Sequence, residues 1–132
     1  MALEPYKNNY YAQFVSSIDE VVSVAQNNRR VEVKHAIIDE NANGVNEVVA
    51  AVAGKKILVL AYSIMSSGAV NATWRSASTS ITGPIYMDDA SKGKVCGYNS
   101  KGWFKTATGE ALNLFLSAGV AVGGELTYAE ID

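Results

Sequence analysis

At 132 residues and 14.0 kDa the chain has the length of one domain, which at this size buries roughly 65–70% of its unfolded surface. Hydrophobic residues at 48% supply a core, and charged residues at 18% fall below the roughly 25% of an average soluble protein, which excludes extended disorder. A net charge of −2 and a pI near 5.4 leave no basic field for a phosphate backbone, so nucleic acid is excluded as a partner.

The N-terminal residues carry an acid at Glu4 and no apolar h-region. They do not read as a signal peptide and imply a protein made and used in a cytoplasm. Tyr6-Lys-Asn-Asn-Tyr-Tyr11 is aromatic and polar and predicts an irregular arm. After it, Tyr11, Phe14, Val15, Ile18, Val21, Val22 and Ala25 recur at three- and four-residue steps, and Ser17 with Glu20 has the spacing of a capping box. This pattern predicts a short amphipathic helix through about Gln26. Residues 1–30 therefore read as an arm and helix preceding a separate body, residues 31–132.

All eleven glycines lie at or beyond Gly44, many at spacings near ten residues, which is the rhythm of short strands in a sandwich or barrel. The predicted strands are Glu32 to Ile38, Glu47 to Val52, Ile57 to Met65, Ala69 to Arg75, Ile81 to Met87, Lys94 to Tyr98, Trp103 to Thr106, Ala111 to Leu116, Val120 to Val122 and Glu125 to Ile131. The body is thus expected to be an antiparallel jelly-roll β-sandwich.

Both faces of the Ile57 to Met65 strand are apolar. One carries Ile57, Val59 and Ala61, the other Leu58, Leu60, Tyr62 and Ile64. Leaving such side chains wet forgoes about 1.5–3 kcal/mol each. The strand therefore predicts a homo-oligomer with Leu58, Leu60, Tyr62 and Ile64 at the subunit interface. The charge-free stretch from Ile57 to Trp74 is broken by serines, Gly68 and Asn71, so it predicts no membrane span.

Candidate chemistry is sparse. His35 and Cys96 are the single histidine and cysteine, so no disulfide and no His- or Cys-rich metal site can be built within one chain. His35 falls in an alternating strand without an acid–nucleophile pattern, and Cys96 between Val95 and Gly97 reads as core packing. Asp88-Asp89 and Asp39-Glu40 read as solvated turn residues. No phosphate-binding glycine motif occurs, so neither an enzymatic activity nor a cofactor is expected. Trp74 and Trp103 are the residue type that stacks on sugar rings, but they read as core or interface packing, because buried aromatics dominate both kinds of contact.

The segments Val49-Ala-Ala-Val-Ala-Gly-Lys-Lys-Ile-Leu-Val-Leu60, Ser67-Gly-Ala-Val70, Ile81-Thr-Gly-Pro-Ile85, Gly102-Trp-Phe-Lys-Thr-Ala107 and Gly109-Glu-Ala-Leu-Asn-Leu114 resemble small jelly-roll proteins of tailed bacteriophages. The resemblance spans about residues 31 to 132. It implies a virion protein assembled in the host cytoplasm: a capsid decoration (cement) protein on the capsid surface, with the major capsid protein as partner, or a carbohydrate- or receptor-binding module of a head or tail fibre. It also implies a trimer. Within this reading the aromatic arm residues Tyr6, Tyr10, Tyr11 and Phe14 are expected to dock onto a neighbouring virion protein, because aromatics bury large areas with few rotatable bonds.

Overall fold

The computed structural model describes residues 23–26 and 29–132. They form strands β1 (Ser23–Gln26), β2 (Arg29–Glu40), β3 (Gly44–Val49), β4 (Lys56–Ser66), β5 (Val70–Ser76), β6 (Thr79–Ser80), β7 (Ile85–Met87), β8 (Gly93–Cys96), β9 (Phe104–Lys105), β10 (Leu112–Leu116) and β11 (Val122–Ile131). One sheet has the order β1-β2-β11-β4-β8, with β9 also on β4. The other has the order β3-β10-β5-β6, with β7 also on β5.

These pairings are nested. The first long strand pairs with the last, β2 with β11; the next inward pair is β3 with β10, then β4 with β8 and β9, then β5 with β6 and β7. A long antiparallel hairpin rolled so that successive pairs fall alternately in two facing sheets is a jelly roll. The predicted β-sandwich is therefore what the chain forms.

The predicted helix is not found where it can be checked. Its last residues, Ser23–Gln26, are a strand in which Ser23, Val24, Ala25 and Gln26 stand opposite Glu32, Val31, Arg30 and Arg29. A four-residue end of a helix satisfies few of its own backbone groups, whereas the ladder to β2 pairs them, and the β-branched Val24 opposite Val31 suits a strand. The rest of the predicted arm and helix lies outside the described residues.

Two other boundaries shift for identifiable reasons. Of the Ile81 to Met87 strand only Ile85–Met87 forms, beginning after Gly83-Pro84, because proline has no N–H for the ladder. The expected turn at Gly123-Gly124 is instead part of β11, continuous through Ile131. Gly124, at φ +156°, lies so close to β4 that a Cβ would collide with the Ser63 carbonyl oxygen. From the other side of β4, a Cβ on Gly93 would collide with the Ile64 carbonyl oxygen. These glycines permit close strand approach rather than chain reversal.

The main core lies between the sheets. Tyr62 meets Trp74 edge-on at 5.3 Å between ring centroids and Phe104 at 5.8 Å, and Trp74 is fully buried. Ile57, Val59, Leu112, Leu114, Leu116, Val122 and Leu126 complete it from both sheets, all fully buried. Buried polar groups close the sheet ends. Thr106 Oγ1 accepts the Ile57 N–H at 2.9 Å, and Ser76 Oγ donates to Glu110 at 2.6 Å while accepting the Ala107 N–H.

Candidate functional site

The outer face of the first sheet holds the features that the fold alone does not require. Its shape follows from a bulge in β4. Thr127 stands opposite Ala61 but Tyr128 opposite Val59, so Leu60 is the extra residue. Before the bulge Ile57 and Val59 point into the main core, and after it Tyr62 and Ile64 do, while Leu58 and Leu60 belong to a second cluster with Ala129 and Ile131.

The four residues expected at a subunit interface are therefore not on one face. Tyr62 and Ile64 are core residues, 4% and 2% exposed, and Leu58 and Leu60 are equally buried within the chain's own second cluster, flanked by Val31 and Val33. A strict two-residue period puts all four together, and the inserted residue breaks that period.

Past the second cluster the outer face opens. Across the sheet, Ile37, Glu125, Ser63 and Val95 form one row, and Asp39, Gly123, Met65 and Gly93 the next. Ile37 is 81%, Val95 80% and Met65 57% exposed. Between them Ala61, Ser63 and Thr127 are short, leaving a shallow depression of about 260 Å³ that His35 and Glu125 also line. His35 is exposed, with Nδ1 3.1 Å from Thr127 Oγ1. Beneath the depression lies buried Cys96. Burial, and after it the Cys96 thiol, raises the Tyr62 phenol above the usual tyrosine value.

The sheet edge beyond β4 carries a second surface. The Trp103 indole is half exposed and held by its Nε1–H, which donates to the Gly97 carbonyl at 2.8 Å. It lines a depression of about 230 Å³ with Leu58, Lys101, Lys105 and Ile131. Gly102, at φ +85°, packs so tightly against Leu58 that a Cβ would collide with the leucine Cδ1, which fixes the loop carrying Trp103. Trp74, the other tryptophan, faces no solvent.

On the opposite sheet the Arg75 guanidinium lies 3.9 Å above the Phe115 ring, beside the half-exposed Val45 paired with Phe115. Asp88 and Asp89 are exposed, and Asp89 Oδ1 accepts the Ala90 N–H within its turn. Among the described residues no three His, Cys, Asp or Glu side chains converge. Tyr6, Tyr10, Tyr11 and Phe14 lie outside the described residues.

Sequence reasoning named Trp74 and Trp103 together without telling the buried one from the half-exposed one, and missed the outer-face group of Ile37, Met65 and Val95. Exposed apolar positions are visible only once the register assigns each residue to a face. Comparison with protein-family models, with curated proteins and with solved structures finds no match for this chain.

Proposed function

We propose that this chain is a structural protein of a tailed-bacteriophage virion, a capsid decoration protein that forms a homotrimer and seats on the major capsid protein at the outer surface of the shell. The observation that carries the reading is the exposed apolar group Ile37, Met65 and Val95 on a sheet face where they stand among the short Ala61, Ser63 and Thr127 and the polar His35, Asp39 and Glu125. Keeping such side chains wet forgoes about 1.5–3 kcal/mol for each one that a partner would bury, and exposed apolar side chains with polar neighbours on one sheet face are what an assembly surface presents. The phage resemblance of residues 31–132 supplies the kind of assembly and the trimeric number. The self-association surface is this open group rather than Leu58, Leu60, Tyr62 and Ile64, which the chain covers itself.

The test is sedimentation velocity at micromolar concentration, paired with electron microscopy of shells mixed with the protein. The wild type is expected to sediment as a trimer and to saturate shells. Ile37→Asp/Val95→Asp is expected to sediment as a monomer with unchanged circular dichroism, since both side chains are already exposed. A wild-type monomer that does not bind shells overturns the proposal. Deleting residues 1–16 tests the aromatic arm. Loss of shell binding with the trimer intact assigns docking to Tyr6, Tyr10, Tyr11 and Phe14, and unchanged saturation removes the arm from attachment.

A second reading, a carbohydrate-binding module of a head or tail fibre, is favoured by one observation: the Trp103 indole is held rigid and half exposed in a depression at the sheet edge.

A further inference from the structure

We propose that the Trp103 depression is a binding site for an acidic pyranose, a uronic-acid unit of a polyanionic glycan, an inference that rests on the carbohydrate-binding reading and names its ligand class. Three observations converge on it.

The first is the platform. The indole does not turn freely, because its N–H is committed to the Gly97 carbonyl and its backbone N–H donates to the Val59 carbonyl at 2.8 Å. An exposed aromatic face fixed before binding loses little rotamer freedom when a flat ring lies on it. Leu58 and Ile131, both buried in the second cluster, form the floor of the same depression.

The second is charge. From Lys92 to Lys105 the sequence holds four lysines, Lys92, Lys94, Lys101 and Lys105, and no aspartate or glutamate, in a chain whose net charge is −2. All four are exposed. Lys101 and Lys105 line the Trp103 depression itself. None of the four forms an ion pair among the described residues, whereas Lys34 pairs with Glu130 at 3.0 Å and Lys55 pairs with Asp132. The two acids nearest along the chain to the depression, Glu130 and Asp132 on either side of Ile131, are thus each engaged by a lysine outside it. The positive charge beside the indole is available to a ligand carboxylate.

The third is alignment. β9 runs antiparallel to β4, with Lys105 opposite Leu58, and Gly102 is pressed against the same leucine. The platform and the two lysines are therefore carried on backbone fixed to the sheet rather than on a free loop. A stacked pyranose with its carboxylate directed to a lysine uses both features, while a neutral sugar uses one and an acidic peptide the other.

The experiment is isothermal titration calorimetry of the full chain with three probes: a galacturonic acid hexamer, maltohexaose, and poly-glutamate of similar charge. The galacturonate hexamer is expected to bind about tenfold or more tightly than maltohexaose, and to weaken as sodium chloride rises from about 50 mM to about 500 mM. Trp103→Ala and the double variant Lys101→Glu/Lys105→Glu are each expected to lower its affinity by about tenfold or more, the lysine variant while keeping the wild-type circular dichroism because both side chains are exposed. Equal binding of maltohexaose overturns the acidic class and leaves carbohydrate binding standing. Absence of binding to either sugar overturns both. Tight binding of poly-glutamate that Trp103→Ala leaves unchanged overturns the site in favour of charge alone.

Discussion

Close approach of β4 to its neighbours is the structural reason for two of the glycines, and a graded series of alanine substitutions measures it. At Gly124 the added methyl meets the Ser63 carbonyl oxygen, and the residue sits at φ +156°. Overpacking a tight contact costs about 1–3 kcal/mol, and a backbone conformation used almost only by glycine costs a further 1–3 kcal/mol or so. Gly124→Ala is therefore expected to destabilise by about 2–6 kcal/mol. At Gly93 the methyl meets the Ile64 carbonyl oxygen without a left-handed φ, so the contact alone applies, at about 1–3 kcal/mol. At Gly83 nothing lies within 4 Å, and alanine is expected to be neutral or to stabilise by about 0.4–1 kcal/mol through the unfolded chain. For a domain of this size, roughly 3–5 °C of melting temperature corresponds to each kcal/mol. Calorimetric melting should thus rank the variants 83, 93 and 124 from most to least stable. Equal melting temperatures at 93 and 83, or a 124 variant as stable as wild type, refute the claim that β8 and β11 press on β4 at Ser63 and Ile64.

Burial raises the Tyr62 phenol, with Cys96 adding to it, and burial also raises Tyr128, with Glu130 adding. The folded chain holds these protons more tightly than the unfolded one, so stability is full below the ordinary tyrosine value near 10 and falls as pH rises past it. Urea unfolding between about pH 8 and about pH 11 should show that fall, and Tyr62→Phe should make it shallower; an unchanged slope refutes the Tyr62 contribution. Cys96 is 7% exposed and should resist a thiol reagent in the native state and react at once in urea; fast native reaction refutes its burial. With Trp74 fully buried and Trp103 half exposed, iodide should quench only part of the tryptophan emission, and Trp103→Phe should abolish the quenchable part.

Most strands were legible because their signal is local. Val70–Ser76 alternates cleanly, with Val70, Ala72, Trp74 and Ser76 buried, and the alternate leucines of Leu112–Leu116 are all buried, although Asn113 between them is buried too. The sandwich followed from the same pattern. What was not legible depends on partners distant in sequence. Val21, Val22 and Ala25 fit a helical stripe, yet the strand at Ser23–Gln26 exists because β2 is there to pair with it. Gly123-Gly124 reads as a turn until β4 is known to lie against it. The exposed group of Ile37, Met65 and Val95 gathers residues from three strands that only the nested pairing brings onto one face.

The bulge at Leu60 links the doubly apolar β4 sequence to the surface left for function. With Ile57 and Val59 facing inward, an unbroken strand would send Ala61, Ser63 and Met65 into the core opposite Trp74, where the first two are too short to fill the space between sheets, and would turn Tyr62 and Ile64 out to water. One inserted residue exchanges the two sets. Tyr62 then reaches Trp74 and Phe104, Leu58 and Leu60 close against Ala129 and Ile131, and the short Ala61 and Ser63 are left on the outer face beside Met65. The short floor of the depression is thus what remains once a single strand has been made to serve two cores, and backbone register leaves it open between Ile37 of β2 and Val95 of β8.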